Sequence, residues 1–209
     1  MYTQRIIHIP AVGKGPELRA ALEARNAAAD PAVPHSLSTH MFSPSPAFVH
    51  SLRFENLAAI EAYEARRGQN PAFQAQGQRI NDCLAQERIS TLYRELSGTP
   101  MRGKAGFLIR NRYSPAPGKG PELQAVLAER IEKAANPGVA GARLSQQVGS
   151  LDGPAFAVTL LFGSMADMDT FFDANQTDPT FRPFLAKAAS LCRAPVQQRI
   201  QRIIAPFPS

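Results

Sequence analysis

The stretch Val12–Leu22, VGKGPELRAAL, returns at Pro117–Leu127 as PGKGPELQAVL. Continued to Arg25 and Arg130, the two copies agree at Gly13/Gly118, Lys14/Lys119, Gly15/Gly120, Pro16/Pro121, Glu17/Glu122, Leu18/Leu123, Ala20/Ala125, Leu22/Leu127 and Arg25/Arg130. Agreement this dense at one constant offset marks an internal duplication, the feature that most limits what the chain can fold into. The 209 residues then form two similar halves of about a hundred residues each. A half of that size has a modest core, so the halves are expected to pack on each other.

Each half spells the same series of elements. In the first, the alternating stretch Thr3–Ala11 reads as a strand. Gly13 and Gly15 then lead into a helix begun by Pro16, which buries Leu18, Ala21 and Leu22 and ends near Asp30-Pro31. Strands are expected at His35–Ser43 and Ala47–Glu55, joined by the Pro-Ser-Pro turn at 44–46. Asn56 is a plausible cap for a helix carrying Leu57, Ile60 and Tyr63 on one face. A further helical stretch holds Phe73, Ile80 and Leu84, and Arg88–Leu96 closes the half as a strand. The second half repeats this from Gly106–Ser114 through Ala142–Ser150 and Ala155–Gly163 to Pro195–Ile204. Leu57/Met165, Ile60/Met168, Tyr63/Phe171 and Phe73/Phe181 keep one offset, so the duplication spans nearly the whole chain. The expected organisation is a repeat over 1–97, a linker over 98–104 and a second repeat over 105–209.

The order β-α-β-β-α-β is the ferredoxin-like split unit, an antiparallel sheet with helices on one face. The fold class is therefore α+β: two tandem ferredoxin-like repeats packed sheet to sheet as a single-chain barrel. Strand, PGKGPEL helix start, paired strands, a helix followed by NPAF or DPTF, and a closing strand together resemble the dimeric α/β-barrel superfamily. The likeness is greatest to its NIPSNAP-like and antibiotic-biosynthesis-monooxygenase-like members, with the chain resembling a fused dimer. The resemblance implies cofactor-free monooxygenases, muconolactone-isomerase-like enzymes, haem-degrading enzymes or members without activity. The haem-degrading members rely on a tryptophan, and this sequence contains no Trp, so haem degradation is not expected.

The net charge of +6 permits anionic ligands, but the basic residues are scattered and no nucleic-acid motif accompanies them. A nucleic-acid partner is therefore not expected. No apolar run is long enough for a membrane span, and Met1–Gly15 lacks a basic segment followed by an apolar one; a cytoplasmic location is expected. In that compartment Cys83 and Cys192, near the same point of each half, are expected to be buried thiols and not a disulfide.

The GKG loops could hold a phosphate at a helix start, but the Gly-Lys-Ser/Thr of a P-loop is missing and a turn into a Pro-led helix accounts for them. All four histidines, His8, His35, His40 and His50, fall in the first half, opposite Tyr113, Arg143, Val148 and Val158 by sequence alignment of the repeats. Their spacing suits no metal site, and no metal or cofactor is expected. His40 and His50 are the candidate catalytic bases. The face of His40 is open, and His50 shares parity with Leu52, so it could instead join the helix-facing core. Strand parity turns Arg5, Arg53, Arg110 and Arg112 away from the helices, where guanidinium groups need an acid such as Glu95 or an anionic ligand. These four are the candidate substrate-binding residues. The functional expectation is a cofactor-independent monooxygenase or isomerase acting on a small anionic or aromatic molecule. The alternative is a non-catalytic protein of the same superfamily that binds a small ligand or a protein partner. The chain is expected to be a monomer with an internal pseudo-dimer, or a homodimer through an outer surface.

Overall fold

The computed structural model describes residues 1–43, 46–133, 137–149 and 153–207. Pro44 and Ser45 of the expected turn, and Ser150 at the end of an expected strand, lie outside the described residues. The elements run β1 (Tyr2–His8), α1 (Gly15–Ala27), β2 (His35–Met41), β3 (Phe48–Phe54), α2 (Leu57–Gly68), α3 (Pro71–Asn81) and β4 (Ile89–Gly98). The series then repeats as β5 (Phe107–Tyr113), α4 (Gly120–Lys133), β6 (Gly141–Val148), β7 (Phe156–Phe162), α5 (Met165–Thr177), α6 (Phe181–Ser190) and β8 (Gln197–Ala205). The strands follow one closed hydrogen-bonded order, β1-β3-β2-β8-β5-β7-β6-β4. Within it the sets β4-β1-β3-β2 and β8-β5-β7-β6 are two copies of the ferredoxin-like arrangement, so the architecture is the tandem α+β barrel the sequence implies.

Two compact units divide the chain. Unit 1 is Met1–Tyr93 with the stretch from Arg202 onward, and unit 2 is Arg94–Gln201. The division runs through β4 and β8, whereas the sequence places it at residues 98–104. A strand that changes unit part-way shows no break in its alternation.

The GKG loops take the form their residues dictate. Gly13 and Gly118 have φ of 78° and 76°, the left-handed region that side chains disfavour. Pro16 then sits in the first turn of α1, where its missing N–H is no loss. Lys14 pairs with Glu17 at 2.7 Å and Lys119 with Glu122 at 3.2 Å, so each lysine serves its own helix start. Asn56 caps α2 by accepting from the Ala59 N–H at 2.9 Å. On that helix Tyr63 is buried, but Leu57, expected beside it, is 53% exposed. Both cysteines are free thiols. The backbone bridges Pro10–Leu84 and Pro115–Cys192 make Leu84 the counterpart of Cys192, so Cys83 matches Leu191 and the two cysteines are not equivalent.

The two cores differ. In unit 2 one continuous apolar cluster joins Ile109, Tyr113, Leu123, Leu127, Ala142, Leu144, Phe156, Val158, Phe162, Met168 and Phe171. Unit 1 has two separate clusters. One packs Leu18 and Leu22 of α1 with Leu37, Phe48, Ile80 and Cys83. The other packs Ile6, Val33, Leu52 and Phe54 with Tyr63 of α2.

Candidate functional site

What parts the two clusters of unit 1 is polar. Side chains alternate along a strand, so Phe48, His50, Leu52 and Phe54 share one face of β3. Phe48 belongs to one cluster and Leu52 to the other, and His50 stands between them. Leu37 of β2 lies opposite His50, which puts His35 on the same face. On β1, His8 lies opposite Phe48 two residues after Ile6. From the helix side come Arg25, one turn beyond Leu22, and Tyr63. His8, Arg25, His35 and His50 are all buried, at 0 to 5% exposure.

His35 Nδ1 and His50 Nε2 are 3.0 Å apart, with the rings stacked at 5.1 Å and Tyr63 edge-on to His35. His35 Nε2, His50 Nδ1, both ring nitrogens of His8, Arg25 Nε and Tyr63 Oη have no hydrogen-bond partner among the described residues. A buried polar group left unpaired costs about 1–3 kcal/mol. The guanidinium of Arg25 lies 4.1 Å from the centre of the Phe73 ring.

Burial, reinforced by the positive charge of Arg25, lowers the pKa of His8 to about 3 and of His35 to about 4. His50 is held well below the ordinary histidine value by burial first, then by His35 and Arg25. Burial raises the Tyr63 phenol. All three imidazoles are therefore neutral at pH 7. In a neutral pair each ring carries one N–H, and the shared bond consumes one N–H and one lone pair. Whichever tautomers form, the outer nitrogens of His35 and His50 offer one proton acceptor and one donor. His8 offers another of each. The seam thus holds the lone pairs that a proton transfer needs, and an anion bound beside Arg25 would offset the charge that, with burial, makes these rings weak bases.

The alignment of the repeats shifts by one residue in β2. Leu144 lies opposite Val158 as Leu37 lies opposite His50, so His35 matches Ala142 and His40 matches Gln147, not Arg143 and Val148. The unit 2 counterparts of His8, His35, His50 and Tyr63 are then Tyr113, Ala142, Val158 and Phe171, all members of the continuous core. Sequence reasoning named His50 but passed over His8, His35, Arg25 and Tyr63. For His8, His50 and Tyr63 the available signal was the apolar character of the twin positions Tyr113, Val158 and Phe171; His35 and Arg25 offered none, because the alignment set them opposite Arg143 and Arg130.

The other candidates stand elsewhere. Arg5, Arg53 and His40 have the opposite parity and occupy the face of the unit 1 sheet turned away from its helices, so His50 does not join them. Arg53 reaches Met1 Sδ and lies 5.6 Å from the Phe207 ring. Arg110 and Arg112 belong to unit 2, again away from its helices. Arg110 donates to Thr159 at 2.7 Å, and Arg112 donates to Ser114 and Gln147 at 3.4 and 3.3 Å. Glu95 accepts from Arg143 at 2.8 Å. Among the described residues no group of three His, Cys, Asp or Glu could hold a metal ion. No helix among them is long and apolar enough to cross a membrane.

No protein-family model matches the sequence, and no curated protein matches it. Solved structures do match. A monooxygenase candidate from Fusobacterium nucleatum aligns with 100% of this chain over 94% of its own, with a TM-score of 0.80 and 8% identity. An anthrone oxidase-like protein aligns with 97% of this chain over 91% of its own, with a TM-score of 0.68 and 10% identity. An uncharacterized ferredoxin-fold protein from Listeria monocytogenes, related to antibiotic biosynthesis monooxygenases, covers 100% of this chain and 95% of its own, with a TM-score of 0.52 and 15% identity. The chain has their fold. At such identities the likeness carries architecture and not residue roles. It bears on the monooxygenase-like side of the resemblance and not on the NIPSNAP-like side.

Proposed function

We propose that this chain is a cofactor-independent monooxygenase for a small organic molecule with an acidic C–H group, and that the unit 1 histidines supply the base. One observation carries the reading. The same fold, twice in one molecule, places apolar side chains in unit 2 where unit 1 has three buried histidines. An apolar solution was available, so the polar one calls for a use. The monooxygenase and oxidase names of structures sharing the fold support the same reading.

The chemistry balances without a further reactant. A histidine lone pair takes a proton from a CH2 group flanked by carbanion-stabilising substituents. The carbanion passes one electron to O2, and recombination of the radical pair forms a C–O bond to a peroxide. The imidazolium protonates the peroxide, the histidine so freed takes the remaining C–H proton as the O–O bond breaks to leave C=O and hydroxide, and the imidazolium formed again protonates that hydroxide to water. Four electrons pass from carbon to O2, and one oxygen atom stays in the product.

Oxygen uptake tests this with anthrone as the probe and with His50→Val and His8→Tyr, which install the unit 2 residues. Substrate-dependent uptake that falls at least about 100-fold in His50→Val is expected. No uptake by the wild type, or undiminished uptake in both variants, overturns the reading. Binding of anthrone without uptake moves the chain to the ligand-binding alternative.

A further inference from the structure

We propose that Arg25 receives the carboxylate of a small organic acid bound at the histidine seam; this names the substrate class and rests on the seam being the site. Arg25 and its twin differ in what surrounds them. Arg130, at the matching place on α4, donates to the Asp178 carboxylate at 3.0 Å and to Asn175 Oδ1 at 2.7 Å. It also lies 5.2 Å from the Phe181 ring. In unit 2, then, this guanidinium is saturated by the protein's own carboxylate and amide. Unit 1 keeps the arginine and the ring, as Arg25 and Phe73, but changes both partners. Asn70 stands at the place of Asp178, and Arg67 at the place of Asn175.

Neither replacement serves Arg25. Asn70 Oδ1 caps α3 by accepting from the Phe73 N–H at 3.2 Å. Arg67 pairs with Glu64 at 2.8 Å and lies 5.7 Å from the same Phe73 ring. One carboxylate has been removed and one cation added beside a guanidinium that is 2% exposed. Among the described residues no acid pairs with Arg25. The charged groups acting on it are Arg67 and Arg88 against Glu64, leaving an excess of positive charge next to three neutral histidines. A buried guanidinium in such surroundings calls for an anion, and the twin shows which anion its geometry accepts. The Phe73 ring that Arg25 faces is half-buried, and a third of the Arg67 side chain on that same ring is exposed.

The decisive variant rebuilds the unit 2 arrangement in unit 1, Arg67→Asn together with Asn70→Asp. Aspartate caps a helix as well as asparagine does, so α3 keeps its start. Binding is followed by calorimetry on the full chain with benzoate and salicylate, and with benzamide as the neutral control. The wild type is expected to bind the acids at least about tenfold more tightly than benzamide. The double variant is expected to lose about 10- to 100-fold in affinity for the acids while melting at a higher temperature, because the carboxylate introduced on its own chain fills the place. The proposal is overturned if acids and amide bind alike, if the double variant binds the acids like the wild type, or if the wild type binds neither acid. Oxygen uptake with neutral anthrone separates the two readings. Uptake without acid binding would leave the oxygenase standing and remove this inference. Acid binding without uptake would do the reverse.

Discussion

His8, His35 and His50 are held neutral in a place where each would normally begin to protonate just below neutrality. Their folded-state pKa values lie below the ordinary 6.5, at about 3 for His8 and about 4 for His35. The unfolded chain therefore binds more protons than the folded one between pH 6.5 and those values. The stability these residues contribute is complete above about pH 6.5 and is lost as the pH falls toward 4 and below. Each histidine adds a slope of up to roughly 1.4 kcal/mol per pH unit in that window. Urea denaturation at pH 7.5 and pH 5 should show a marked loss of stability in the wild type and a smaller one in His50→Val. Equal losses in the two proteins would show that His50 does not titrate this way. At this scale the sequence was only partly legible. The absence of histidine from the second half was visible, but Arg25 and Arg130 look alike in the alignment. Their difference lies in partners at positions 67 and 70, which only folding brings near Arg25.

At the scale of elements, duplicated helices begin with unequal means. Ser164 and Asp167 cap α5 reciprocally: the Asp167 N–H donates to the Ser164 hydroxyl at 3.1 Å, and the Ser164 N–H donates to Asp167 Oδ2 at 2.8 Å. In the matching helix α2, Asn56 makes the single bond already described. Asn56→Ala should cost about 1 kcal/mol and Ser164→Ala more, because Asp167 then also loses the hydroxyl it accepts from at 2.9 Å. Denaturation midpoints check this, and equal losses would show that the bond from the Ser164 hydroxyl to Asp167 adds nothing. The helices and strands themselves were legible because their signals are local: glycine before a Pro-led helix, asparagine before an apolar face, short runs of apolar residues in β1 and β5. The register of β2 was not. The extra residues of the second half are split between the connections on either side of β6, and no residue type marks how they divide. A strand has a period of two, so a slip of one residue matches each side chain with one on the opposite face. That slip hid the correspondence between His35 and Ala142.

At the scale of the whole molecule, duplication lets one copy carry an expensive arrangement while the other retains an ordinary core. Unit 2 should therefore be the more robust of the two. The units also differ in how the chain supplies them. Ile204 and Ala205 pack on the Leu18–Leu22 cluster of unit 1, and Phe207 lies against Arg53, so unit 1 includes the last residues of β8. A chain ending at Gln201 should lose hydrogen-exchange protection in β1, β2 and β3 while β5 and β7 keep theirs; loss in both sets together would show one cooperative block.

The same split decides the order in which the molecule can mature as it leaves the ribosome. Unit 1 begins first, yet Ile204 and Ala205, which pack on its Leu18–Leu22 cluster, are made after all of unit 2, which is one uninterrupted run from Arg94 to Gln201. The half synthesised first is thus the half completed last. Until then the Leu18–Leu22 cluster, on one side of the histidine seam, lacks the cover that these two residues supply.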